Sequence, residues 1–271
     1  RYVPGSSDSE RWIEIRDVPR GRVVASWRQA SAGSVAWSSD GRYVSWLAKG
    51  GDETSLYVLD RETGRRFPVL DEVKNLGGSL WSPNSRVIVY WTTEEAEEDD
   101  RGVKRLESLM DRWASFRDKQ FLHLVTVPDG VTRRLTAGEI STTAGSFSPD
   151  GRRLLFQRSV EDLSARPYMR TELWEIDLTT FETEKIRDWR FLQDASYAPD
   201  GRRLLIHGSP QEFDNAGLDV PEEVIPNSYD SQLFVWDPAS GEVDAITRDF
   251  DPAVIDARWN RQDGRIYLLA E

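Results

Sequence analysis

The most concentrated set of chemically capable side chains is a run of carboxylates. Six of the seven residues from Glu94 to Asp100 are acidic, and a basic stretch, Arg101–Arg105, follows them. Such a cluster can attract the free ammonium group of a peptide. It can also be a solvated loop that the basic residues partly neutralise, and the sequence favours the loop. Calcium is less favoured, because the D-x-D-x-D-G spacing of a calcium loop is absent. The candidate ligands for an ammonium group are Glu94, Glu95, Glu97 and Glu98.

Two later segments also carry charged side chains between apolar runs. In the segment 159–171, Arg166 and Arg170 flank a tyrosine and can hold a peptide carboxylate, although an ordinary exposed loop is the favoured interpretation. The acidic segment 210–230 is either a lid or docking loop or, as the favoured interpretation, a surface excursion. Asp219, followed by Pro221-Glu222-Glu223, could start a short helix within it, because acidic residues are favourable in a first helical turn.

Several kinds of chemistry lack the residues they need. Cysteine is absent, which excludes disulfides, thiolate metal sites and cysteine catalysis. His123 and His207 are the two histidines, and we interpret both as structural. The net charge of −12 argues against nucleic acid and anionic membrane surfaces as partners. No apolar run approaches the roughly 20 residues of a membrane helix, so no membrane insertion is expected. We assign no catalytic residue, no metal and no cofactor to this chain.

A repeat must position these side chains. An aromatic residue, a small polar residue, a turn, an arginine and an apolar run recur along the chain. Proline presets the turn, aspartate bonds the backbone ahead, and glycine accepts a positive φ. The apolar runs that follow have the length and type of buried strands. Four copies and a looser fifth span Trp37–Arg42, Trp81–Arg86, Phe147–Arg152, Tyr197–Arg202 and Trp259–Arg265.

A second phrase alternates with the first. It consists of an apolar–aromatic strand, an aspartate, a turn and another strand, as in Leu56–Asp60 and Leu233–Asp237. Each repeat therefore has four strands, which is what a propeller blade requires. The chain also has 11 tryptophans, and we expect the repeated ones to pack between blades, because aromatic side chains bury large areas.

These repeats predict an all-β chain, a β-propeller of four-stranded blades over residues 1–271. Complete blades are expected at about 34–70, 78–136, 144–187 and 194–247, with terminal hairpins at about 10–27 and 254–270. Either the two hairpins combine in a fifth, split blade that closes the ring, or the chain is a fragment of a larger propeller. The first residue, Arg1, and the end directly after a strand favour the fragment.

The repeat resembles a known family. Ser148–Arg152 is similar to the TolB-type propeller repeat, and the Gly-His and Trp-Asp dipeptides of the WD type are lacking. Similar repeats form the N-terminal propeller of the prolyl oligopeptidase and dipeptidyl peptidase family of serine peptidases. The stretch 111–119, with the strand that ends at Arg134–Thr136, looks like the propellers of bacterial members.

The resemblance implies a non-catalytic propeller that caps an α/β-hydrolase domain and selects short peptide substrates. No serine here stands in the G-x-S-x-G pattern of a hydrolase nucleophile, so that domain is expected C-terminal to this chain and outside it. Dipeptidyl peptidases hold the substrate N-terminus with a glutamate pair on a propeller insertion, and Glu94–Glu95 or Glu97–Glu98 would be the pair here. An exported location, periplasmic or secreted, is favoured over a cytoplasmic one. The alternative is a standalone TolB-like propeller that binds proteins.

Overall fold

A computed structural model describes residues 12–28, 31–96, 118–164, 166–221 and 223–271. Within these residues the chain forms twenty β-strands and one short helical turn, α1 (Glu212–Asn215). The strands form four antiparallel sheets of four strands and two hairpins of two strands. The prediction of an all-β propeller built from four-stranded blades is confirmed.

The chain divides into two compact units. The first contains a hairpin and two of the four-stranded sheets, in which strands that follow one another in sequence pair side by side. In chain order the strands are β1 (Trp12–Asp17) and β2 (Arg22–Arg28), then β3 (Ala32–Trp37), β4 (Tyr43–Gly50), β5 (Glu53–Asp60) and β6 (Arg66–Lys74), then β7 (Leu76–Trp81), β8 (Val87–Glu94), β9 (Lys119–Thr126) and β10 (Thr132–Arg134).

The second unit contains the other two sheets and a closing hairpin, connected in the same way. The third sheet consists of β11 (Thr142–Phe147), β12 (Arg153–Glu161), β13 (Met169–Asp177) and β14 (Thr183–Trp189). The fourth consists of β15 (Leu192–Tyr197), β16 (Leu204–Gly208), β17 (Gln232–Trp236) and β18 (Val243–Ala245), and the hairpin of β19 (Val254–Trp259) and β20 (Ile266–Ala270).

The middle strands of every four-stranded sheet are buried on both faces. Val89 of β8 and Leu155 of β12 are as inaccessible as the residues beside them, although neighbouring residues of a strand point to opposite faces. This explains the continuous apolar runs in the sequence, since a sheet with one face in water would alternate apolar and polar residues.

Aromatic residues join successive sheets of the first unit. The indole N–H of Trp81 in β7 donates to Ser45 Oγ in β4 at 2.8 Å. The Trp81 ring also stacks on Tyr43, with the two ring centroids 5.9 Å apart. Packing between blades, as expected of the repeated tryptophans, is confirmed for Trp81.

The repeated turn owes its shape to side chains that bond the backbone. Ser148 is fully buried, and its hydroxyl oxygen accepts the backbone N–H of Arg153 at 2.9 Å. Asp150 Oδ1 accepts the backbone N–H of Arg152 at 3.0 Å, and Gly151 has a φ of 70° that suits glycine. The equivalent serine bonds recur at 2.8 Å and 3.2 Å for Ser38 with Tyr43 and Ser82 with Val87.

The arginine of this turn ties the two sequence phrases together. Arg42 Nη2 donates to Asp60 Oδ2 at 2.8 Å, and Asp60 is the aspartate that begins the next turn of the same sheet. The hydrogen bond from Arg42 holds the pKa of Asp60 below its ordinary value. Arg202 and Asp237 form the same pair in the fourth sheet, with Nε and Oδ2 3.1 Å apart.

The two ends of each sheet differ. At one end, which we name the turn end, the first-to-second and third-to-fourth connections have five or six residues. At the other, which we name the loop end, the second strand leads to the third. That connection is two residues in the β3–β6 sheet but spans 95–118, 162–168 and 209–231 in the others. Every candidate binding segment of the sequence therefore belongs to a loop end.

The serine bond of the turn can be tested by removing one hydroxyl. Ser148→Ala deprives the Arg153 backbone N–H of its acceptor, so we expect the free energy of unfolding to fall by about 1–2 kcal/mol. Ser159→Ala, at an exposed position of β12, is the control and should change it by less than about 0.5 kcal/mol. Chemical denaturation measures both variants. Equal stabilities would contradict the role of the hydroxyl.

Candidate functional site

The loop end of the second sheet holds the described part of the acidic cluster. Glu94 is the last residue of β8, and Glu95 follows it. Two glycines make this geometry possible, because the Trp91 ring lies against the backbone of Gly77 and Gly78. A Cβ added to Gly78 would lie 2.3 Å from that ring. Because Gly77 and Gly78 of β7 have no side chains, the Trp91 ring of β8 fits against them, and β8 continues as far as Glu94.

Glu94 is already paired. Arg134, the last residue of β10, donates from Nη1 to Glu94 Oε1 at 2.7 Å. The guanidinium carbon of Arg134 also lies 4.4 Å from the centroid of the Phe121 ring, which fixes its position. The arginine offsets the charge of Glu94, so this carboxylate is poorly placed to take a second cation.

Glu95 has a neutral partner instead. Its Oε1 accepts a hydrogen bond from Asn75 Nδ2 at 3.1 Å, and within the described part of the chain no Lys or Arg pairs with it. Glu94 and Glu95 look alike in the sequence, but in the structure Glu94 has a cationic partner and Glu95 a neutral one. The other two candidates, Glu97 and Glu98, lie outside the described residues.

The two histidines occupy packed positions. His123 stacks on Tyr90 at 5.0 Å between centroids, and its Nε2 lies 2.9 Å from Thr92 Oγ1. Burial and, secondarily, the nearby Arg134 charge lower the pKa of His123, which keeps the ring neutral. His207 is buried, with Nε2 2.9 Å from the Val254 carbonyl oxygen.

The two candidate arginines at the loop end of the third sheet have different surroundings. Arg170 Nη1 donates to Asp188 Oδ2, and Arg170 Nη2 lies 3.7 Å from Glu172 Oε1. Arg166 donates from Nε to the Tyr168 hydroxyl at 3.2 Å. Among the described residues, no carboxylate forms an ion pair with Arg166. Arg166 can therefore take an external carboxylate, whereas Arg170 is engaged within the fold.

A buried glutamate centres the ion network that engages Arg170. Glu172 is 8% exposed; its Oε1 accepts from Lys185 Nζ at 3.0 Å and its Oε2 from the Trp174 indole N–H at 2.9 Å. Burial alone would raise the pKa of Glu172, but the hydrogen bonds from Trp174 and Lys185 lower it overall. This network was not predicted from the sequence. The sequence signal for it is that residues of opposite charge stand on β13 and β14, two strands joined by a short turn.

A second arginine fixes the loop 162–168. Arg190 Nη2 donates to Asp162 Oδ2 at 2.8 Å, and its Nη1 donates to the Pro167 carbonyl oxygen at 3.2 Å. Hydrogen bonds from Ser164, aided by Arg190, lower the pKa of Asp162 to about 2. The carboxylate therefore stays charged at any ordinary pH, and the loop that carries Arg166 has a fixed base.

These loop ends are equipped for recognition of charged groups. In the described ranges, no three His, Asp or Glu side chains are grouped as a metal site would need. No helix in the same ranges is long and apolar enough to cross a membrane. Counting partners among the described residues alone, the loops offer a carboxylate without a cation, Glu95, and separately a guanidinium without an anion, Arg166.

Comparison with known proteins supports the fold. No family model matches the sequence. An alignment over 145 residues, which covers 46% of this chain, is 26% identical to the uncharacterized peptidase YuxL of Bacillus subtilis (strain 168), of which it covers 22%. The chain thus spans less than a quarter of that relative's length.

Solved structures match nearly the whole chain at low identity. The acylaminoacyl peptidase of Pyrococcus horikoshii has a TM-score of 0.69 at 18% identity, over 96% of this chain and 38% of that one. The β-propeller domain of the Trilobed protease from Pyrococcus furiosus has 0.66 at 16%, over 98% and 72%. A TolB-like protein of Agrobacterium tumefaciens has 0.55 at 16%, over 97% and 79%. The predicted TolB-type propeller, resembling those of peptidases, is confirmed as a fold.

The role of Glu172 predicts a pH-dependent stability. A carboxyl whose pKa is lower in the folded state stabilises it above the unfolded pKa, about 4.3, and loses this contribution as the pH falls through the folded pKa. We expect Glu172→Gln to lower the free energy of unfolding by about 1–2 kcal/mol at pH 7. Its deficit against the natural protein should shrink below about pH 4.

The matched control is Glu184→Gln, because Glu184 is exposed on the neighbouring strand β14. It should be close to neutral across the same pH range. Urea denaturation at pH 7, 5 and 3 measures both variants, and a deficit for Glu172→Gln that does not change with pH would refute the assignment.

Proposed function

We propose that this chain is the non-catalytic propeller domain of a prolyl-oligopeptidase-like serine peptidase. In this role it caps the active site of an α/β-hydrolase domain and admits short peptides. One observation carries the proposal: 98% of the chain aligns with the β-propeller domain of a protease, at a TM-score of 0.66. The partial match to a Bacillus subtilis peptidase, found by sequence, supports the same class.

The division of labour within the fold is consistent with this role. The catalytic serine would belong to the hydrolase domain, because no serine of this chain stands in a nucleophile elbow. The propeller would contribute exclusion of large substrates and contacts with the peptide. Its long loop ends supply such contacts, since loops on a rigid scaffold are the usual place for binding residues.

For the contacts themselves we propose two residues. Glu95 would hold the ammonium group of a peptide N-terminus, because no Lys or Arg among the described residues offsets its charge, whereas Arg134 offsets that of Glu94. Arg166 would hold a peptide carboxylate in preference to Arg170, which Asp188 and Glu172 already engage. Bound charges of opposite sign form strong hydrogen bonds, so each contact would select peptides by their ends.

The proposal is tested on the native protein isolated from its source. We expect an intact mass far above the 31.0 kDa of this chain, and labelling of one serine by a fluorophosphonate probe. Peptide mapping should place the labelled serine outside the sequence of this chain. A native mass near 31.0 kDa without labelling would overturn the proposal and favour a standalone propeller that binds protein partners.

The role of Glu95 is tested in the full-length peptidase with paired substrates. We expect Glu95→Gln to raise KM about tenfold for a peptide with a free N-terminus and to leave kcat unchanged, a loss of about 1.4 kcal/mol of binding. The N-acetylated form of the same peptide should be unaffected.

Glu62 is an exposed acidic residue at a turn end, so Glu62→Gln is the control for net charge. It should change the KM of neither the free nor the acetylated peptide. If Glu95→Gln raised KM equally for the free and acetylated peptides, a contact between Glu95 and the ammonium group would be ruled out.

A further inference from the structure

The loop end of the fourth sheet carries an unusual concentration of exposed apolar side chains. We name it the apolar ridge, and its four residues are exposed by 45, 47, 93 and 72% for Val220, Val224, Ile225 and Tyr229. Single apolar residues on a surface need no explanation, but contiguous apolar patches mark interaction sites. Four such residues fall within one ten-residue stretch of the same connection, which makes this connection a candidate interaction site.

The ridge is held in shape by its own backbone. The Val224 N–H donates to the Pro221 carbonyl oxygen at 2.9 Å, which closes one turn. The Asp230 N–H donates to the Asn227 carbonyl oxygen at 3.2 Å and closes a second, which the Asn227 side chain reinforces by bonding Asp230 Oδ1 at 2.8 Å. No described residue of 219–229 is helical, so the helix predicted to start near Asp219 is wrong. Ile225 lies between the two turns.

The ridge also stands on a fixed base. The Tyr229 ring meets Phe191 edge to face, with centroids 5.4 Å apart. Preceding it, Phe213 of α1 is buried against Trp236, 5.6 Å between centroids. Gly217 lies so close to the sheet that an added Cβ would be 2.9 Å from the Phe234 ring. A surface that is ordered before it meets a partner loses little entropy on binding.

The connection that carries the ridge is acidic along its sequence, while at its base the Arg187 guanidinium carbon lies 4.9 Å from the centroid of the Phe213 ring. From Gly208 to Thr247 the sequence has nine Asp and Glu and neither Lys nor Arg. Asp219, Glu223 and Asp230 are exposed beside the apolar side chains. The complementary surface is an apolar groove rimmed by Lys and Arg. An anionic membrane fits poorly, because it would repel the acidic flanks.

The size of the ridge indicates a tethered partner. Four side chains with these exposures offer on the order of 500 Å² to a partner, below the roughly 800 Å² that each side of a standard interface buries. A small contact is sufficient between domains of one chain, since a linker supplies an effective concentration in the millimolar range.

We propose that the apolar ridge docks in an apolar groove, rimmed by Lys and Arg, on the hydrolase domain of the same polypeptide. This inference rests on the proposed function for the identity of the partner. The docked ridge would hold the propeller in place over the hydrolase domain, with Ile225 as the central anchor.

The test uses the full-length native polypeptide with Ile225 replaced by the photo-crosslinking residue p-benzoyl-phenylalanine. Illumination followed by peptide mapping should give a crosslink from position 225 to a segment of the hydrolase domain that contains Lys or Arg. The same replacement at Val131, an exposed apolar residue at a turn end, is the control and should give no such crosslink. A crosslink from position 225 only to another polypeptide, or none, would overturn the inference.

A second measurement follows the same contact without a crosslinker. Ile225→Asp should make the backbone amides of 219–229 exchange hydrogen at least tenfold faster in the full-length protein, while Val131→Asp should not. Unchanged exchange would count against docking. Failure of the proposed function is separately visible: a native protein without a fluorophosphonate-labelled serine removes the named partner, whereas a labelled protein without the crosslink removes only the docked ridge.

Discussion

The middle strands of each sheet are apolar on both faces, and the rest of the structure follows from this constraint. Such a strand cannot face water on either side, because each exposed Leu or Phe side chain costs about 1.5–3 kcal/mol relative to burial. Each sheet must therefore be covered by others. In the second unit, Leu155 and Leu173 of the third sheet share one cluster with Ile206 and Phe234 of the fourth. Both faces of these middle strands are used in packing, so binding residues can stand only at the strand ends.

The turn ends and the loop ends of the sheets differ in how much they vary. The turn ends repeat one hydrogen-bonded unit, in which Ser148 and Asp150 satisfy the backbone and an arginine reaches the next turn. Variation is confined to the loop ends, where the connections range from two residues to more than twenty. Charged groups there are first used to fix the loops, as Arg190 does with Asp162. Glu95 has no cationic partner within the part of the chain that the structure describes, which is why we propose it for recognition.

The sequence was sufficient for whatever depends on nearby residues. The Ser148 turn, the alternation of two hairpins and the four-stranded sheets could all be read from it, because turn chemistry and strand pattern are local. Even the fourth copy, in which Ala198 replaces the serine, keeps its shape, since Asp200 Oδ1 accepts the Arg203 N–H at 3.0 Å. Which side chains face one another across two paired strands could not be read. The pairing of Arg170 with Asp188 depends on the register of β13 and β14, which shifts between Leu173 and Trp174.

The segment before the apolar ridge shows the same limit. A helix was expected near Asp219 from the acidic residues around it, whereas the helical turn forms at Glu212–Asn215 with three left-handed residues in succession. Such residues each cost on the order of 1 kcal/mol. The Phe213 ring offsets this cost by packing against Trp189, 5.9 Å between centroids, and against Phe234. Tertiary burial has overridden local preference there, and no local signal could have revealed it.

A pair of probes of different size tests most directly the proposal that this propeller limits access to a serine hydrolase site. The native protein would be labelled with a small fluorophosphonate and, in parallel, with the same warhead joined by a short linker to a folded carrier protein. If the propeller caps the site, the small probe should label the serine rapidly, and labelling by the bulky probe should be slower by at least a hundredfold. Equal rates would contradict it, because an active site that admits a folded protein is not capped.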